Sequence, residues 1–150
     1  MDTVIQNIRK DFPALQMQVY GKPMVFLDSA ASSLKPKCVA EALSEYYQTI
    51  NSNVHRGSYK LSQMASDAFD RVRKQIATYI NASSEKEIIY TKGTTEAVNL
   101  LAHSLSGDLE EGDNIVLTQM EHHANIIPWQ DLCQRKKAQL KIIPLNEDGS

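Results

Sequence analysis

The second half of this chain alternates short apolar runs with helical patterns, and that alternation restricts the fold more than any other feature. "EIIYT" (87–91) predicts a strand, residues 94 to about 106 a helix, and "NIVLT" (114–118) a strand. Residues 127 to about 137 then predict a helix and "LKIIPL" (140–145) a strand. Strands joined by helical crossovers pair in parallel, the crossovers are right-handed, and the helices cover the faces of the sheet. The expected class is therefore α/β with a parallel-rich sheet.

The first half is more helical. Val4, Ile5 and Ile8 have helical spacing, and Pro13 stops that helix. "MVFLD" (24–28) predicts a short buried strand. Pro36 opens a helix whose apolar positions are Val39, Leu43, Tyr46 and Ile50. Leu61, Ala65, Ala68, Val72, Ile76 and Ile80 predict the buried face of a long second helix. No repeat or low-complexity tract interrupts the chain. It divides into an N-terminal segment, 1–22, of helix plus link, and a domain portion, 23–150. The final "LNEDGS" predicts a turn with no closing element, so the domain is expected to be truncated.

Composition narrows the partners. With 150 residues, 42% hydrophobic and a net charge of −2, the chain suits a globular domain and lacks the basic excess expected of a nucleic-acid binder. It has neither a secretory start nor a run of about 18 apolar residues, so it reads as cytoplasmic with no membrane partner. Cys38 and Cys133 lack C-x-x-C spacing and fall on apolar helical faces, so both are expected to be buried free thiols.

In an open parallel sheet, loops leaving the carboxyl ends of the strands share one rim, where ligands bind. Two polar loops are expected there: "TKGTTEA" (91–97) and "TQMEHHAN" (118–125). In the first, Gly93 stands at a helix N-cap, Thr94 and Thr95 add hydroxyls, and the unpaired amides suit a phosphate. Glu96 at N3 can fold back on the cap. A plain capped helix accounts for the same residues, and neither a Walker spacing nor G-x-G-x-x-G is present. In the second loop, adjacent His122 and His123 diverge too far to share one metal, and no ligand spacing accompanies them, so no metal is expected. Three readings stay open for them: an acid–base pair, one ring lying flat on a planar ligand, or ordinary polar loop residues. In "NVHRG", His55 and Arg56 read either as a solvated cap and charge or, for Arg56, as a two-pronged donor to a carboxylate or phosphate. Glu121 carries no assigned role.

Taken in order, "FLDSAASSLKP", "NVHRGSYKLS", "YTKGTTEAVNLLA", "GDNIVLTQMEHHANIIPWQ" and "IIPLNEDG" resemble the N-terminal part of the pyridoxal-phosphate-dependent cysteine desulfurases. The likeness is to the SUF-type, group II branch that includes selenocysteine lyases. It covers essentially the whole chain, and the run "HHANIIPWQ" separates this branch from group I.

The resemblance implies a PLP-dependent transferase of fold type I, aminotransferase class V-like, of which this chain holds part of the large domain. It implies a homodimer that converts L-cysteine (or L-selenocysteine) to L-alanine and passes sulfur, as a persulfide, to an acceptor of the SUF system for iron–sulfur cluster assembly. By the same resemblance Thr94 and Thr95 bind the phosphate of pyridoxal 5′-phosphate (PLP), and His123 stacks on its ring and assists proton transfer. His122 stands behind it. Ala30 and Ala31 line the substrate side, and His55 and Arg56 reach substrate or cofactor in the neighbouring subunit. The family's cofactor-bearing lysine, its aspartate at the pyridine nitrogen, its nucleophilic cysteine and its carboxylate-binding arginine match no position here. The 150-residue chain alone is therefore expected to be inactive. The alternative is a noncatalytic folding or dimerisation unit, with "NVHRGSYKLS" as its contact surface.

Overall fold

The computed structural model describes residues 2–149. Contacts divide the chain into two compact units, Met1–Ile88 and Ile89–Ser150.

The first unit opens with α1 (Asp2–Lys10), followed by a hairpin of β1 (Gln18–Val19) and β2 (Lys22–Pro23). The hairpin was not foreseen. Its ladder is extended by the Met24 amide donating to the Met17 carbonyl at 3.0 Å. Beyond that point the expected strand at "MVFLD" does not form. Residues 25–28 have no ladder partner among the described residues, and Val25 and Leu27 are 78% and 90% exposed. An apolar run becomes a strand only where a neighbouring backbone satisfies its amides and carbonyls.

α2 (Lys37–Thr49) begins after Pro36, as its sequence predicted, and the Lys37 amide donates to the Asp11 carbonyl at 2.7 Å. Its apolar stripe is only partly covered: Val39 and Leu43 stay exposed, and so does Cys38, contrary to the expectation of a buried thiol. α3 (Lys60–Tyr79) is the long helix expected, but its buried face is only partly the one expected. Ser62, Ala65 and Ala77 are buried, whereas Leu61, Val72 and Ile80 are exposed. Ala65 is buried as expected, while Ser62 and Ala77 stand where the apolar pattern gave Leu61 and Ile76, so the face is displaced toward the neighbouring row of residues.

The second unit carries α4 (Thr94–Ser104), β3 (Asn114–Thr118), α5 (Ile127–Lys136) and β4 (Gln139–Ile143). β3 and β4 pair in parallel, Asn114 opposite Gln139 through Thr118 opposite Ile143. This is the β-α-β crossover expected of the sequence, with α5 packed on β4 and on α4. The core holds Val98 and Ala102 of α4 with Leu132 and Cys133 of α5; Leu132 is only 1% exposed. Lys137 ends α5 in the left-handed conformation, φ 56°, and Gln139 then donates to the Asp113 carbonyl at 2.7 Å to start the ladder. Pro144 follows β4, and Gly149 donates to Asn146 in the expected terminal turn.

The strand predicted at 87–91 is absent. Residues 85–87 form a 3-10 turn and Ile88 is extended, but the run joins no sheet among the described residues. Ile88 is buried, while Ile89 and Tyr90 stay exposed.

Candidate functional site

The site is built from the second unit upward. Gly93, with φ 158° and ψ 177°, precedes α4 in a backbone region that side chains avoid. Ala97 makes the first helical bond, to the Gly93 carbonyl at 3.1 Å, which leaves the amides of Thr94, Thr95 and Glu96 without helical acceptors. No side chain caps this end. Glu96 does fold back, as expected, but to the amide of Lys92, one residue before the cap, at 2.5 Å. The carboxylate thereby secures the approach to the helix and leaves its first amides open. Lys92, Gly93, Thr94, Thr95, Glu96 and Asn99 line a cavity of about 540 Å³ there. The hydroxyls of Thr94 and Thr95 make no hydrogen bond among the described residues, so they and the free amides present several donors to an anion.

The loop after β3 is held from beneath. Gln119 extends the parallel ladder by donating to the Ile143 carbonyl at 3.0 Å, and its side-chain oxygen accepts from the Leu145 amide at 3.1 Å. Glu121 then accepts from the Thr118 hydroxyl and from the Asn125 amide group, both at 2.8 Å. Asn125 in turn accepts from the Trp129 indole at 3.0 Å. These bonds hold the Glu121 carboxyl below its ordinary value of 4.5, with Asn125 the larger cause and Thr118 next.

Above this chain of bonds, His123–Asn125 forms a 3-10 turn capped by His122, whose Nδ1 accepts from the Ala124 amide at 3.1 Å. His122 is therefore spent on the turn. His123 is exposed, makes no side-chain hydrogen bond among the described residues, and meets His122 edge to face at 6.3 Å between centroids. The turn packs against both α4 and α5, so the elements that carry Thr94, Thr95 and His123 are in contact. Glu121, Asn125 and Trp129 carry no expected role in the sequence, and it is the 3-10 turn leading into α5 that brings them into one bonded row.

The remaining candidates lie in the first unit. Ala30 and Ala31 sit in an exposed turn closed by the Ala31 and Ser32 amides donating to the Asp28 carbonyl. His55, at φ 66°, sits edge-on to Phe69 at 5.4 Å, with its Nε2 3.7 Å from the Asp70 carboxylate. Arg56 is exposed and has no hydrogen bond or ion pair among the described residues. No hydrogen bond joins the Ala30 turn to the His55 loop among the described residues.

Buried Cys133 lies against β3. Burial raises its thiol above the ordinary value, and a backbone hydrogen bond from Ile115 partly offsets this. Among the described residues, no three of His, Cys, Asp and Glu gather as a metal set, and no helix is long and apolar enough to cross a membrane.

Against known proteins, the aminotransferase class-V family profile matches residues 25–150. Cysteine desulfurases of Salmonella gallinarum and of an Enterobacter species are each 48% identical, over 97% and 100% of this chain. The chain spans only 36% and 37% of their lengths. Among solved structures, the apo cysteine desulfurase of Thermococcus onnurineus superposes with a TM-score of 0.87 at 39% identity, covering 97% of this chain and 34% of that one. The cysteine desulfurase CsdA of Escherichia coli gives 0.76 at 37% identity, covering 95% and 35%. A C-DES variant with glycine covalently linked to its PLP cofactor, 23% identical with a TM-score of 0.73, shares the fold. By this profile and these neighbours the chain belongs to the aminotransferase class-V family and carries part of its α/β, PLP-dependent transferase fold.

Proposed function

We propose that this chain supplies the N-terminal portion of a SUF-type, group II cysteine desulfurase, with residues 1–22 leading into a large-domain portion at 23–150. The observation that carries the proposal is the uncapped N-terminus of α4, with two unpartnered threonine hydroxyls over a cavity, on a helix in contact with the His123 turn. The 48% identity to cysteine desulfurases supports the same reading.

The donor set fits PLP. The Thr94 and Thr95 hydroxyls and the first amides of α4 would hold its phosphate, and the ring of His123, which makes no side-chain hydrogen bond among the described residues, would stack on its pyridine and take part in moving a proton. When bound, PLP supplies an electron sink for charge developing on the substrate. Ala30 and Ala31 line the substrate side. Arg56, with His55 beside it, reaches across a cytoplasmic homodimer to the neighbouring active site, near substrate or cofactor. L-alanine leaves, and sulfur passes as a persulfide to a SUF acceptor protein.

The test is made on the full-length protein. It is expected to purify with the visible absorbance of bound PLP and to release alanine from L-cysteine; a colourless protein that releases none overturns the proposal. Alanine release from L-selenocysteine, compared with that from L-cysteine, separates the desulfurase from a selenocysteine lyase. The 150-residue chain alone, expected to be inactive, serves as the control.

A further inference from the structure

The loop that presents Arg56 is fastened to α3 on both sides of that residue. The His55 amide donates to the Ser66 hydroxyl at 2.8 Å, and the Gly57 amide donates to the Ser62 hydroxyl at 3.0 Å. Ser62 donates onward to the Asn53 carbonyl at 2.6 Å, and Ser66 to the Ser62 carbonyl one turn back at 2.7 Å. Ser62 is fully buried, so its hydroxyl works as an internal clasp and not as a wetted surface group.

The fit is close. A Cβ on Gly57 would stand 2.5 Å from both the Cβ and the hydroxyl of Ser62, so the backbone can approach α3 only because residue 57 has no side chain. His55 adds a third attachment through Phe69 and Asp70. Asn53, His55 and Gly57 thus each give a backbone group to α3, while Arg56 gives none among the described residues and keeps its guanidinium in solvent.

We propose that Ser62 and Ser66 are positioning residues for Arg56: the two hydroxyls, one helical turn apart, seize the amides on either side of it and fix the point from which its guanidinium reaches an anionic ligand. The inference rests on the reading of Arg56 as a substrate-facing group. A long cation on a loose loop loses conformational freedom when it binds, and a clasped backbone removes part of that loss beforehand. Serine suits the task because one hydroxyl both accepts an amide and donates to a carbonyl.

The experiment uses the full-length, PLP-loaded protein with R56A, S66A, S66T and the double variant S66A/R56A. Ser66 is chosen because removing the buried Ser62 hydroxyl strands an amide and a carbonyl at once. Hydrogen exchange of the peptide spanning 53–59 reports the clasp, and KM and kcat for L-cysteine report its consequence. S66A is expected to speed exchange in that peptide and to raise KM by about 3- to 10-fold, with little change in kcat. S66T is expected to restore both, and S66A is expected to add little to the KM of R56A. The proposal alone is overturned if S66A loosens the peptide while KM stays at the parent value, or if its effect on KM persists undiminished in R56A. If R56A itself leaves KM unchanged, the reading of Arg56 fails, and the proposal fails with it.

Discussion

The residues that matter most here are those whose polar atoms are either deliberately spent or deliberately left over. Thr94 and Thr95 belong to the second kind. A hydrogen bond to a charged group contributes about 1.5–3 kcal/mol, so replacing either threonine by alanine in the full-length protein is expected to weaken PLP by roughly 10- to 150-fold, read by equilibrium dialysis. Glu121 belongs to the first kind, since its carboxylate accepts from both Thr118 and Asn125. Its folded value lies below 4.5, so the order it gives the loop is complete above that pH and is lost as pH falls through the lowered value. A protonated carboxyl offers a donor where an acceptor is needed. The indole N–H of Trp129, bonded to Asn125, is therefore expected to exchange faster on acidification below pH 4.5, and E121Q to show that faster exchange already at neutral pH. An indole resonance indifferent to both changes would show that the row does not hold the loop.

Elements form where a second element satisfies them. α4, α5, β3 and β4 were legible because each has a partner inside the second unit, and the parallel register confirms the expected β-α-β crossover. "MVFLD" and "EIIYT" have the same apolar character, yet neither is taken up into a sheet among the described residues, and neither becomes a strand. α3 shows the complementary error. Its helical period was readable, but its face was misjudged because the group buried against the preceding loop is a hydroxyl that a count of apolar residues ignores. The closeness of that contact yields a prediction. Gly57→Ala forces either the loop or Ser62 to move, an overpacking cost of about 1–3 kcal/mol, visible as a lowered Tm of the full-length protein. An unchanged Tm would mean that the loop relaxes away from α3 freely.

At the scale of the whole molecule, surface dominates. Large apolar side chains are exposed in both units: Val4, Ile5 and Ile8 on α1, Val39 and Leu43 on α2, Val116 on β3, and Ile142 and Ile143 on β4. A polypeptide of these 150 residues is therefore expected to self-associate, giving a species heavier than 16.8 kDa in sedimentation. A soluble monomer with one sharp unfolding transition would contradict this. The contrast extends to the thiols, since Cys133 lies within the core of the second unit while Cys38, equally apolar in pattern, stays in solvent. By itself the sequence determined the helical periods, the β-α-β order and the two polar loops, because these follow from local spacing and turn chemistry. Only the tertiary structure decided which apolar runs become strands, which face of α3 is buried, and that Glu121 and Ser62 act as clasps. The strands and the α3 face depend on partners that no local pattern announces, whereas the clasps join residues three to nine apart through side-chain geometry that apolar periodicity does not register.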